Sequence, residues 1–251
     1  MSIDLSNPFA VIADVHGNSD ALATVLSDID AQGIETILNL GDHFSGPLAA
    51  GETARMLAAR DMISIRGNHD RWLIEQDRAQ MGASDAVAFD QLGPKDLDWL
   101  RSLPATQTIQ DTVYMCHGTP DSDTTYWLEQ VLPDGTVAPN TSEEIEAAGA
   151  GVAGPLILCG HTHLARLVQL RDGRLILNPG SVGLPAYDDE TPVPHVVAAG
   201  STAARYCIVT PRAGTWDVTF RAIPYDTARM AKMAQDAGRM DWAQAVSTGW
   251  L

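Results

Sequence analysis

The sequence predicts an α/β fold, a four-layer α-β-β-α sandwich: two mixed β-sheets packed face to face with helices outside, as one domain over residues 1–251. Three observations predict it. Near the start, short apolar runs, polar loops and helical patterns alternate three times, the arrangement of a parallel sheet with right-handed crossovers. Each apolar run stops at Asp, Asn or His, and in such sheets ligands sit outside the carboxyl ends of the strands. The remainder is richer in strand-like runs separated by Gly or Pro turns, enough for a second sheet. With 251 residues, 45% of them hydrophobic, the chain can bury one sizeable core.

The elements follow in order. Phe9 to Ala13 is an apolar run that reads as a buried strand. Ser19 to Ala31 reads as an amphipathic helix, with Leu22, Val25, Leu26 and Ile29 at helical spacing and Gly33 to end it. Glu35 to Leu40 is a second strand, Thr53 to Ala59 a helix, and Met62 to Ile65 a third strand, followed by a helix from about Arg71. Thr112 to Cys116 and Pro155 to Cys159 are strands running into His117 and His161. Leu164 to Leu170, Arg174 to Leu177, Arg205 to Val209 and Trp216 to Ala222 read as hairpin strands, with Asp172-Gly173 as one turn. Thr227 to Ala237 is a closing helix.

Composition excludes several functions. The formal net charge is −16, from 16 basic and 32 acidic residues with no basic run, so no extended nucleic-acid-binding face is expected. Three cysteines, Cys116, Cys159 and Cys207, are odd in number and widely spaced, unlike a disulfide framework. Cys116 and Cys159 precede motif residues, and strand alternation points them into the core, away from the motifs. The first residues lack a basic stretch and a long apolar run, and no segment approaches the roughly 18 apolar residues of a membrane span. A cytoplasmic, reducing setting is expected, with no membrane partner and self-association left open.

Five segments carry the chemistry: Asp14-Val15-His16, Gly41-Asp42, Gly67-Asn68-His69-Asp70, Cys116-His117-Gly118 and Gly160-His161-Thr162-His163. Five of the seven histidines lie in them. Each follows a predicted strand, where a ligand is held more rigidly than in mid-loop. Residues i and i+2 of an extended segment point the same way, so Asp14 with His16, and His161 with His163, are expected to face one centre. Carboxylate oxygen mixed with imidazole nitrogen suits Mn, Fe, Zn, Ni or Co rather than Ca or Mg alone. The donors exceed what one such ion takes, so two divalent ions sharing a carboxylate fit better, about 3.5–4 Å apart. Against two carboxylates and a bridging hydroxide, two divalent ions leave the centre positive. A phosphate would be attracted there by a protein that otherwise repels it.

These motifs resemble, in type and order, those of the calcineurin-like metallophosphoesterase superfamily, from Phe9 to about Gly183. The flanks Asp14-Val15-His16-Gly17-Asn18, Gly41 to Pro47 and Asn178-Pro179-Gly180-Ser181-Val182-Gly183 resemble its small prokaryotic phosphodiesterase-type branch. Ser45-Gly46-Pro47 stands where Ser/Thr protein phosphatases have Asp-Arg-Gly. The resemblance implies one metal held by Asp14, His16, Asp42 and His163 and another by Asp42, Asn68, His117 and His161, with Asp42 bridging. It also implies catalytic His69 facing the substrate, oriented by Asp70, and hydrolysis of a small-molecule phosphodiester or phosphomonoester by a bridging hydroxide. The alternatives are a phosphoprotein phosphatase, a dinucleoside polyphosphate hydrolase, and a non-catalytic scaffold of the same fold. The intact ligand positions and His69 argue against the scaffold.

Other residues carry two readings. His43 is a substrate contact or a supporting residue beside Asp42. Asn18 is a substrate contact or a helix N-terminal cap. Asn178 to Ser181 is a tight loop that also borders the site, and His195 is structural. Leaving-group specificity is assigned to the loops Ser84 to Lys95, Thr119 to Ser142 and Leu184 to His195.

Overall fold

A computed structural model describes residues 5–251. The chain begins with β1 (Phe9–Ile12), α1 (Ser19–Ala31), β2 (Thr36–Asn39), α2 (Ala50–Ala58), β3 (Ile63–Ser64) and α3 (Asn68–Glu75). Next come α4 (Ala83–Phe89), α5 (Pro94–Ser102), β4 (Gln107–Ile109), β5 (Val113–Met115), β6 (Glu129–Val131), β7 (Val137–Pro139) and α6 (Ser142–Ala148). Then follow β8 (Leu156–Leu158), β9 (Arg166–Gln169), β10 (Leu175–Asn178), β11 (Ala186–Asp189) and β12 (His195–Ala198). The chain closes with β13 (Ala204–Arg212), β14 (Thr215–Ile223), α7 (Ala228–Asp236) and α8 (Met240–Thr248).

Two five-stranded sheets form, in the orders β14-β13-β1-β2-β3 and β4-β5-β8-β10-β9. Both are mixed. In the first, β1, β2 and β3 run parallel and β13 is antiparallel to β1. In the second, β5, β8 and β10 run parallel, with β4 and β9 antiparallel at the edges. Alternation along β1 explains how they stack. Phe9 and Val11 join Leu38, Val209, Val113, Met115, Leu156 and Leu177 in one apolar layer between the sheets. Ala10 and Ile12 face the other way, onto Leu22, Val25 and Ile29 of α1. The outer face of the second sheet, with Cys116, Ile157, Cys159 and Ile176, packs on Trp127 and on Ile145 of α6. These are the four expected layers. Cys116 and Cys159 lie in the core, as alternation required, and all three cysteines are free.

α1 spans the residues that its periodicity marked, and its buried Leu22, Val25, Leu26 and Ile29 anchor it. Each such side chain contributes about 1.5–3 kcal/mol on burial. Asn18 Oδ1 caps the helix by accepting from Ala21 N at 3.0 Å. Gly33, at φ +68°, turns the chain out.

Some segments differ from expectation. Ser84 to Lys95, expected as loop, contains most of α4 and the start of α5. Thr227 to Ala237 does not close the chain, because α8 follows and packs Trp242, Ala243 and Val246 on Leu48, Leu184 and Met230. Segments 119–142 and 184–195 contribute the β6–β7 and β11–β12 hairpins. Among the described residues, no helix is long and apolar enough to cross a membrane.

Candidate metal centre

The parallel strands β1, β2, β3, β5 and β8 end at the same edge of the two sheets, and the five motifs lie just beyond those ends. Backbone bonds zip the loops together: Asp14 N to Gly41 O, His16 N to Asp42 O, and Gly160 N to His117 O, at 3.0, 3.0 and 2.7 Å. Ser181 Oγ and Gly183 N both donate to Asp14 O, so the 178–183 loop supports the site from behind.

The seven proposed ligands converge. Asp14, His16 and His163 form one group with donor atoms mutually within 4.8 Å, and Asp42, His117 and His161 form a second. Asp42 Oδ2 lies 3.2 Å from His117 Nε2 of its own group and 3.8 Å from His16 Nε2 of the other, so it reaches both. Asn68 begins α3 and is buried beside them.

The backbone geometry is a correction. Strand alternation does not aim Asp14, His16, His161 and His163. They sit at φ +56°, +51°, +69° and +58°, with Asp42 at +55°. Non-glycine residues adopt this left-handed region rarely, and each costs about 1–3 kcal/mol unless the surroundings enforce it. Five bent candidate ligands beyond the strand ends of the two sheets mark a place where the fold sustains strain to aim side chains. His161 joins Asp42 and His117, and His163 joins Asp14 and His16.

The imidazoles are set for coordination. Nδ1 of His16, His117 and His163 lies against the carbonyls of Ser45, Leu40 and Leu184 at 2.9, 2.8 and 2.7 Å. A carbonyl only accepts, so each Nδ1 carries a proton and each ring turns its Nε2 inward. His16 Nε2 and His163 Nε2 then face each other at 3.1 Å. Two lone pairs repel at that distance, but adjacent ligands about 2.1 Å from one ion stand roughly 3.0–3.4 Å apart. Both oxygens of Asp14, Oδ1 of Asn68 and Nε2 of His117 are buried without a hydrogen-bond partner. Burial opposes charge on Asp14 and Asp42, yet neighbouring imidazoles hold both below the usual carboxylate range. Burial, with the nearby His163, brings His16 down to about 4. Burial opposes protonation of His117, but Asp42 and Asp14 raise it to about 10. A site of ionised carboxylates, inward-facing imidazole nitrogens and orphaned oxygens fits divalent cations, which displace a proton from such a nitrogen on binding.

His69 lines the adjoining cavity of about 770 Å³, with its side chain 28% exposed. The structure overturns the expectation that Asp70 orients it. His69 Nδ1 is held at 2.9 Å by Asp85 Oδ1, from α4. Asp70 is fully buried and pairs with His43 Nδ1 at 2.7 Å. Its oxygens also accept from the backbone N–H of Gly67, Asp42 and His43. Asp70 is therefore a clamp for the Asp42 loop, placed one position past His69, where the helix turns it inward.

The substrate-contact readings of His43 and Asn18 are likewise corrected. His43 is fully buried, with its ring against Trp99 at 4.9 Å. Asn18 is fully buried, and besides capping α1 it donates to Gly183 O and Tyr225 Oη. His195 is structural as expected: its Nδ1 meets Val193 O at 2.8 Å and its Nε2 meets Tyr126 Oη at 3.0 Å. All three specificity segments reach the cavity, through Ser84, Tyr126, Glu129, Tyr187 and neighbours, and the C-terminal residues Arg239 and Trp242 join them.

Asp85 has a testable consequence. Burial lowers the His69 pKa, but Asp42 and Asp85 outweigh it and raise His69 to about 9. Cations beside Asp42 would take up its share, leaving Asp85 to keep the ring protonated. Asp85→Asn is expected to reduce kcat about tenfold and to shift the alkaline loss of activity to lower pH, because a lower pKa empties the acid form sooner. A pH–rate profile that keeps its alkaline limb in place would remove this role.

The comparisons bear on the fold and the family. An uncharacterized protein of Methanocaldococcus jannaschii is 28% identical over 199 residues, covering 70% of this chain and 76% of that protein. A metallophosphoesterase from Sphaerobacter thermophilus superposes with a TM-score of 0.75 at 24% identity, over 97% of this chain and 99% of that one. A hypothetical protein from Pyrococcus horikoshii gives 0.72 at 20% identity, over 96% and 98%. These two likenesses bear on the fold. Residues 8–200 match the calcineurin-like phosphoesterase superfamily domain, and the chain belongs to that superfamily of metal-dependent phosphoester hydrolases.

Proposed function

We propose that this chain hydrolyses a small-molecule phosphoester, diester or monoester, at a centre of two divalent transition-metal ions drawn from Mn, Fe, Zn, Ni and Co. The observation that carries the reading is that Asp42, a member of one three-residue group of metal-type donors, also lies 3.8 Å from His16 Nε2 of the other. Asp14, His16, His163 and Asp42 would hold one ion, and Asp42, Asn68, His117 and His161 the other. When bound, such ions supply Lewis-acid stabilisation and a water of lowered pKa.

The chain's own residues do the rest. Carbonyls behind His16, His117 and His163 fix ring tautomer and direction, so little reorganisation accompanies binding. His69, with Asp85 on its Nδ1, offers its other ring nitrogen to the ester oxygen and donates the proton that the departing alcohol needs. Asp70 and Gly67 keep Asp42 in register. The cavity admits a small ester rather than a polymer face.

Chelation should abolish hydrolysis of an aryl phosphodiester, and Mn²⁺ should restore it. Full activity in metal-free protein would sink the proposal. His69→Ala should lower kcat about 10²–10⁴-fold while elemental analysis finds the metal content unchanged. Metal lost in that variant would make His69 a ligand instead.

A further inference from the structure

The cavity beside the metal-type donors has aromatic walls. Trp72 packs on His69 with ring centres 4.7 Å apart, and Trp242 on His16 at 5.9 Å. Tyr126 packs on His161 at 5.2 Å and Tyr187 on His163 at 4.7 Å. All four line the cavity. The tyrosines are fixed by a relay in which Tyr187 Oη donates to Tyr126 Oη, which in turn meets His195 Nε2.

The charged part of the remaining lining is predominantly acidic. Glu129, Glu144, Asp188 and Asp189 all border the cavity. Among the described lining residues, Arg239 is the only Arg or Lys. It is engaged, with Nε and Nη2 on Asp241, Nη1 on Ser84 Oγ and its guanidinium over the Trp242 ring. Among the described lining residues, no Arg or Lys is left free for a second phosphate or a carboxylate.

Glu129 points to the missing ligand. It is 1% exposed, and its Oε1 accepts from Arg166 Nε at 2.5 Å. Its Oε2 is buried with no hydrogen-bond partner. An unsatisfied buried carboxylate oxygen is costly, and a donor entering the cavity would satisfy it.

We infer that the alcohol portion of the substrate carries a protonated amine: the substrate is a phosphoester of an amino alcohol, its ammonium held by Glu129 and the aromatic walls. This rests on the phosphoester reading above. Aromatic faces attract cations, and an acidic cavity concentrates them and repels anions. The phosphate lies at the metal centre and the ammonium toward Glu129, so opposite ends of a zwitterionic substrate meet opposite fields.

The test uses the metal-loaded full chain and three p-nitrophenyl phosphodiesters whose second alcohol is 2-aminoethyl, ethyl or 2-carboxyethyl. The nitrophenyl ester is common to all, so ratios of kcat/KM read only the second alcohol. The aminoethyl ester should exceed the ethyl ester by about tenfold or more, with the carboxyethyl ester slowest. In Glu129→Gln the aminoethyl-to-ethyl ratio should collapse toward one. Turnover of the esters without that order in the wild-type protein would overturn the inference and leave the phosphoester reading standing. No turnover of any of them, nor of p-nitrophenyl phosphate, would remove both.

Discussion

Asp42→Asn is expected to lower metal content at both groups and to reduce phosphodiester turnover by at least about 10²–10³-fold. The substitution keeps the shape of the side chain and removes its charge. It also places an amide group within reach of His117 Nε2, which lies 3.2 Å from Asp42 Oδ2. A hydrogen bond there would cap the nitrogen that should bind metal. Asp42 reaches both groups, so loss at one propagates to the other. Elemental analysis after dialysis, beside a turnover assay, measures both effects. Near-normal turnover with full metal would mean that Asp42 is not shared.

Gly67→Ala is expected to do comparable damage through space alone. Gly67 has φ −93° and ψ −174°, a conformation open to any residue, so backbone freedom is not the issue. A Cβ there would lie 2.2 Å from Asp42 Oδ1 and 2.8 Å from Asp42 N. The opposing loop cannot yield, because Asp70 clamps Asp42 N and Gly67 N with the same oxygen. Overpacking of this kind costs about 1–3 kcal/mol, occasionally more. Here it would also displace a proposed ligand. Thermal unfolding should show a lower Tm, and metal titration a weaker affinity. A variant with wild-type Tm and metal affinity would show that the loops relax freely.

The ligand positions were legible because each is a polar residue stranded at the end of an apolar run, a placement that burial alone would not favour. Asp14, Asp42 and His117 all stand out in this way, and the structure gathers them. The supporting residues were not legible. Asp85 reaches His69 from a helix that the Ser84 to Lys95 segment hid, since Ser84-Asp85-Ala86-Val87-Ala88-Phe89 offers few large apolar residues to mark a face. Adjacency in sequence suggested Asp70 for that task, but adjacent residues on a helix diverge. His43 and Asn18 look functional from their neighbours, and both are fully buried structural groups. The final helix, with Met240, Trp242, Ala243 and Val246, was missed because polar and small residues interrupt it; its buried face depends on the 184–187 segment, far away in sequence.

The contact between His16 and His163 joins residues 147 positions apart. A ribosome releases the first of these well before the second, by roughly 7–30 s at ordinary elongation speeds. The central strand β1 likewise awaits β13 before its sheet is complete. A nascent chain thus displays Asp14, His16, Asp42 and Asn68 only as a fragment with little hold on any cation. Metal loading becomes the last act of biogenesis, and the finished protein samples whatever ions the surroundings offer once translation is over.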